Sequence, residues 1–261
     1  MISREQAGFL EISGVHLYTV LHEVPDPVAR VLLIGPFGGE RCAAYIPLVR
    51  WARFLAARKI EVLRYDYRGT GESTGVFEDM RFEHWAEDVE FLAGWLKHRI
   101  PKAPLILHGL EMGALLANSA FASGVANASL LWAPPASANE VLRSALLRHV
   151  TLENVFQYGR ERRPLSDYIR RLDAGFLEVD GYNWSSRLWR DSFDLQFPCT
   201  SASDSIQPVE RPVRAVKLDK SAAPLVRGSA YEAMNPDLTP LFDETFEWIA
   251  AVSKKVSADV H

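Results

Sequence analysis

Residues 107–117 read LHGLEMGALLA. The run APLILHG over residues 103–109 is apolar but too short for a helix, which predicts a strand buried on both faces. From Met112 the residues turn small and apolar, and the pattern predicts a helix over Met112 to Gly124. Gly109 and Gly113 bracket the switch, as a tight turn requires where backbone passes close to backbone. Glu111 stands at the centre of that turn. A carboxylate between those glycines, at the mouth of a helix, needs a physical reason.

The flanking segments supply the rest of a sheet. FLEI, the Ser13-Gly14 turn and VHLYTVLHEV read as a hairpin, closed by PDP at Pro25 to Pro27. RVLLIG, EVLRYD and ASLLWAPP are further short apolar runs, read as buried strands. Between them, Ala44 to Ala57 and the stretch from Phe82 to Leu96 carry apolar residues at helical spacing. Strands alternating with helices predict an α/β fold, with a mostly parallel twisted sheet and helices on both faces. Ligands in such sheets bind at the carboxyl ends of the strands. The loops GPFGGER, RGTGESTG, GLEMG and APPAS all fall there. The alternation stops at about Ala136, in a stretch rich in arginine with Trp184 and Trp189, read as an inserted cap. FPCTSASDS, then VRAVKLD as a strand, and an amphipathic helix from Leu238 to Val256 resume the main pattern. The predicted organisation is 1–135 for the first part of the core, 136–196 for the cap and 197–261 for the rest of the core.

Bulk composition narrows the function classes. With 29 basic and 33 acidic residues, the formal net charge of −4 argues against a broad nucleic-acid surface. The two cysteines, Cys42 and Cys199, are too few for a disulfide framework and belong to no metal-ligand cluster. The opening MISREQAGFLEI lacks a secretory pattern, and no apolar run approaches the ~18 residues that span a bilayer. The expectation is a cytoplasmic protein with no membrane span, no cofactor and no metal. GTGESTG lacks the Gly-Lys-Ser/Thr ending of a phosphate loop.

Three motifs carry a resemblance. YDYRGTGESTG resembles the Asp-x-Arg-Gly-x-Gly-x-Ser loop of α/β-hydrolases, with Asp66, Arg68, Gly69, Gly71 and Ser73 filling the pattern. LHGLEMG has the frame of their nucleophile elbow, Gly-x-Ser-x-Gly, without its serine. VLLIGPFGG lies where those proteins carry a strand ending in His-Gly. The resemblance implies that the Phe37 N–H is one donor of an oxyanion hole and the Met112 N–H the other. Within the superfamily the chain is similar to the serine-aminopeptidase-like hydrolases, and most of all to the second type of exosortase-A-associated hydrolase. GPFGGER, YDYRGTGES, FEHWAEDVEFLAGWL, GLEMGALLA, LLWAPP and LEVDGYNWSSRL carry that likeness, strongly over about residues 9–135 and more weakly beyond. It implies an α/β-hydrolase fold with a cap between the sixth and seventh strands. It also implies an elbow without serine, usually with arginine there, and gene neighbours for protein sorting and exopolysaccharide. The word hydrolase then describes the fold.

Serine acyl transfer needs a hydroxyl, a histidine base and an acid that orients it. The stretch expected to hold the base, KLDKSAAPLVRGSAYEAMNP, contains no histidine. Among the seven histidines only His108, just before the elbow, falls near the site, where a structural role is the commoner one. The family's acid position corresponds to Asp204 in SASDSIQP, which then has no histidine to orient. The usual triad is excluded. Glu111 as nucleophile has a parallel in haloalkane dehalogenases and epoxide hydrolases, which place aspartate at this elbow. Glutamate is longer by a methylene, and misplacement by about 1 Å costs about a hundredfold in rate. The alternative is structural: a helix start favours an anion, and the carboxylate folds back onto the Met112 and Phe37 N–H groups, plugging the hole. The candidate catalytic residues are thus Glu111, Asp204 and His108. Glu40 and Arg41 are candidates for the pocket mouth, weighed against a plain surface ion pair. The cap arginines are weighed against a solvated helix face. Two functions stay open. One is a non-triad hydrolase using Glu111 on a small ester, thioester or amide-like molecule. The other is an inactive homologue that binds a small molecule, a protein partner or a second copy.

Overall fold

The computed structural model describes residues 4–156, 162–197, 211–218 and 237–258. Strands β1 (Arg4–Ile12) and β2 (Val15–Glu23) form the N-terminal hairpin, turned by Ser13 and Gly14 at φ +50° and +79°. β2 pairs antiparallel with β4 (Ile60–Tyr65). β4, β3 (Ala29–Ile34), β5 (Leu105–Leu110), β6 (Ala128–Trp132) and β9 (Val213–Val216) then run parallel. The order is β1-β2-β4-β3-β5-β6-β9. β3, β5 and β6 are buried at every position, which is why they read as continuous apolar runs.

Two helix layers cover this sheet. α1 (Glu40–Ala56) and α7 (Thr239–Ala258) share one cluster with it, where Trp51, Leu55, Phe242 and Ile249 are buried. α2 (Phe82–Arg99) and α3 (Met112–Ala122) share the other, with Trp85, Leu92, Leu115 and Leu116. Between β6 and β9 the chain forms α4 (Ala138–Phe156), α5 (Leu165–Ala174), the hairpin β7 (Phe176–Val179) with β8 (Tyr182–Ser185), and α6 (Ser186–Asp191). Tyr168, Leu172, Trp184 and Trp189 of this segment are buried in the cluster that also holds α2 and α3. No helix among the described residues is long and apolar enough to cross a membrane.

The Asp66 loop is a structural brace. Asp66 accepts the Glu72 N–H at 3.0 Å, and Ser73 Oγ donates to the Asp66 carbonyl at 2.6 Å while accepting the Tyr18 N–H at 2.9 Å. The loop is thereby stitched to β2. A Cβ at Gly71 would come within 2.0 Å of the Asp66 carboxylate. Arg68 is buried against Asp88, with hydrogen bonds of 2.5 and 2.9 Å, and its carbonyl accepts the Trp85 indole N–H at 3.1 Å.

The sheet has its far edge in the VRAV segment that the sequence reads as a strand. The VRAV strand pairs directly with β6, Ser129 opposite Val213 and Trp132 opposite Val216. Asp204 and Cys199 lie outside the described residues.

Candidate functional site

The elbow is built by close backbone approach. A Cβ on Gly109 would meet the Gly113 carbonyl oxygen at 2.2 Å, and one on Gly113 would meet the Ile34 carbonyl oxygen at 2.1 Å. Only glycine lets α3 rise this close to β5 and β3. Glu111, between them, is forced to φ +54°, ψ −116°, well outside the regions a side chain prefers. Such a conformation costs roughly 1–3 kcal/mol and persists only when its surroundings impose it. Here the Glu111 N–H donates to the Trp132 carbonyl at 2.9 Å and the Ala114 N–H donates to the Glu111 carbonyl at 2.8 Å.

The side chain turns back on its own helix. Glu111 Oε2 accepts the Met112 N–H at 2.8 Å and the Phe37 N–H at 3.2 Å. Phe37 is held in place from two sides. Its ring packs on Phe77, Trp85 and Trp184 at centroid distances of 5.5–5.9 Å. Its loop is anchored by the Tyr67 hydroxyl, which donates to the Gly35 carbonyl at 2.6 Å. Met112 and Phe37 thus both converge on one oxygen of Glu111.

The electrostatics run against the simple helix-start expectation. Burial pushes the Glu111 carboxyl from its ordinary 4.5 up to about 7. The N–H bonds from Met112 and Phe37 pull it down, Glu40 pushes it up and Arg148 pulls it down, but desolvation is the largest cause. Glu111 is 8% exposed, so water does little for its ionised form.

Glu40 and Arg41 do not form the surface pair weighed from sequence. Glu40 is buried, and Arg148 of α4 reaches it at 2.6 Å. Arg148 also lies 3.5 Å from Asp180, in the turn between β7 and β8. Arg41 points elsewhere and pairs with Asp66 at 2.5 Å. Arg148 and Asp180 were not legible as site residues, because they lie in the segment without a strand–helix repeat and meet Glu40 only in the folded chain. His108 sits in the α1–α7 core rather than beside Glu111. Its Nδ1 accepts the Trp51 indole N–H at 2.9 Å, its ring stands edge-on to Trp132, and burial lowers its pKa from 6.5 to about 3. These contacts are those of a neutral core histidine. The cap tryptophans, Trp184 and Trp189, are likewise buried.

A mostly parallel sheet, a glycine-framed elbow at positive φ and two converging N–H donors are now in place. Residues 25–153 match the family described as Serine aminopeptidase, S33. The chain has the α/β-hydrolase fold. Solved structures agree at the level of fold. Est1E from Butyrivibrio proteoclasticus, determined with ferulic acid bound, is similar at 18% identity and a TM-score of 0.51, over 73% of this chain and 72% of that one. A hypothetical protein from Pseudomonas aeruginosa, PA2218, is similar at 14% identity and a TM-score of 0.55, over 93% and 94%. An α/β serine hydrolase without lid from Xanthomonas campestris shares 23% identity at a TM-score of 0.44. The chain spans 62% of its length, using 51% of its own. No curated protein matches the sequence.

In an α/β-hydrolase the two N–H groups of the oxyanion hole bind the negative oxygen that develops in acyl transfer. In this chain the Met112 and Phe37 N–H groups are both engaged by the protein's own carboxyl group. An entering carbonyl would have to displace Glu111 Oε2, and the displaced group would still crowd the same space.

Proposed function

We propose that this hydrolase-like protein does not perform serine-type acyl transfer and serves as a binding or scaffolding member of its superfamily. The observation that carries the proposal is the seat of Glu111 Oε2 on the Met112 and Phe37 N–H groups, at 2.8 and 3.2 Å. A missing serine alone would leave an empty hole; a filled one removes the stabilisation on which the chemistry depends. The sequence resemblance to exosortase-A-associated hydrolases supports a small-molecule ligand or a protein partner in a protein-sorting or exopolysaccharide setting.

One observation favours a second reading. A carboxyl group with a pKa of about 7 suits general acid–base work at neutral pH. On that reading Glu111 exchanges a proton with a small ester, thioester or amide-like molecule, without a covalent intermediate.

Turnover of p-nitrophenyl acetate and labelling by a fluorophosphonate separate the two. Wild type should show neither above a heat-treated control. Glu111→Ser should also stay slow, because a general base contributes about 10²–10⁴-fold and the stretch 217–236, where the base is expected, has no histidine. Wild-type turnover that disappears in Glu111→Gln would overturn the binding proposal in favour of acid–base catalysis.

A further inference from the structure

A second concavity lies where β2, β4, α1 and the Asp66 loop meet. It is a cleft of about 650 Å³ whose lining includes Tyr18, Arg41, Tyr45, Arg64, Asp66 and Glu72. A smaller recess shares Arg41, Tyr45, Arg64 and Asp66 and continues to Gly35 and Pro36. Arg64 is the fifth of six residues of β4, near the carboxyl end of a sheet strand, the end where such sheets bind ligands.

The two arginines of this cleft differ. Arg41 is occupied by Asp66 at 2.5 Å. Arg64 Nε donates to His22 Nε2 at 3.0 Å. Burial lowers the His22 pKa to about 4, so this acceptor is neutral at physiological pH and offsets none of the arginine's charge. Glu5, which shares the field of Arg64, is already bound by Arg53 through bonds of 2.6 and 3.2 Å. Among the described residues no carboxylate forms an ion pair with Arg64. Its two Nη groups remain to serve a ligand. Its Cζ lies 5.7 Å over the ring of Tyr45, a side chain left 53% exposed.

We propose that this cleft is a ligand site separate from the elbow, taking a small monoanion that joins a carboxylate to an aromatic ring. The guanidinium fork of Arg64 matches a carboxylate through two parallel N–H bonds. Tyr45 and Tyr18 offer aromatic walls for the ring. With Asp66 paired to Arg41, Glu72 at the same cleft disfavours a multiply charged group such as phosphate, because like charges brought together cost binding energy.

Cys42 lines the cleft and is exposed, so it reports on occupancy. The experiment follows alkylation of Cys42 by mass spectrometry, using iodoacetate, which carries a carboxylate, and iodoacetamide, which is neutral. Benzoate and inorganic phosphate are the competing probes. The iodoacetate-to-iodoacetamide rate ratio at Cys42 should fall about threefold in Arg64→Gln, the scale of one partly exposed charge. Benzoate should protect Cys42 in wild type, and phosphate at equal concentration should not. Tyr45→Ala, which removes an exposed side chain, should weaken benzoate protection with little change in the ratio. Protection by benzoate that survives Arg64→Gln, or equal protection by phosphate, would overturn the proposal. So would a failure of benzoate to protect the folded wild type.

Discussion

A carboxylate that accepts backbone N–H bonds at a helix start is ordinarily held ionised. At Glu111 burial outweighs those bonds and raises the pKa from 4.5 to about 7. In the unfolded chain this group releases its proton near pH 4.5; in the folded chain it keeps it until about pH 7. Stability therefore falls as pH rises through that window. The loss is absent below 4.5 and complete above 7, amounting to roughly 3 kcal/mol at most. Glu111→Gln keeps an acceptor for the two N–H groups and has no proton to lose. Its stability relative to wild type should climb between pH 5 and pH 8 in paired urea melts with equal m-values. A flat difference would mean that the carboxyl is not desolvated. The presence of Glu111 in an elbow was legible from the two glycines and the strand before them. The sign of its pKa shift was not, because it depends on burial, which only the folded chain creates, and on the charge of Glu40 brought near by folding. His108 shows the same limit. A strand-end position suggested proximity to the elbow, but the alternation of side chains along β5 turns the ring toward Trp51. His108→Leu should cost about 1–3 kcal/mol by leaving the Trp51 indole N–H without its acceptor. Urea melts at pH 7 test it; a neutral outcome would mean that this bond is dispensable.

The elbow works as an element because strand, turn and helix are in backbone contact. Gly113→Ala places a methyl group where the Ile34 carbonyl oxygen lies 2.1 Å away. Backbone cannot yield as a flexible side chain does, so α3 must move off β3. Overpacking of this kind costs typically 1–3 kcal/mol and more where backbone is the obstacle. The variant should unfold at markedly lower urea than wild type, or fail to yield soluble protein. A midpoint within error of wild type would mean that the close approach is wrongly placed. Most elements were readable from period alone: the three strands buried throughout appear as short, mostly apolar runs, and α2 shows its apolar stripe. α1 begins at Glu40, four residues before the sequence pattern places it. Its first turn, ERCA, carries charge rather than apolar spacing, and that charge is what meets Arg148. The strand beside β6 was harder to assign. A short parallel strand has no turn chemistry to fix its neighbour, so the pairing of VRAV with β6 could not be read from the sequence.

At the scale of the whole molecule, opposing titrations bound the pH range of stability. Burial depresses the His22 and His108 pKa values to about 4 and about 3. The unfolded chain protonates both near 6.5, so their contribution is lost as pH falls below that value. Glu111 acts in the opposite direction as pH rises, and only the difference between wild type and Glu111→Gln isolates it. The same molecule has the α/β-hydrolase fold and seats a carboxyl oxygen on the Met112 and Phe37 N–H groups. Local patterns and two loop motifs were enough to read that architecture. Closure of the site was legible as one of two alternatives, since it depends on where one side-chain oxygen rests. The most direct test is a pH titration of the Phe37 and Met112 amide signals in ¹H–¹⁵N spectra of the intact protein. Both N–H groups donate to one carboxyl oxygen, so both signals should move together with a midpoint near pH 7, and both should stop moving in Glu111→Gln. Signals that stay fixed across the range in wild type, or titrate unchanged in Glu111→Gln, would contradict a hole filled by Glu111.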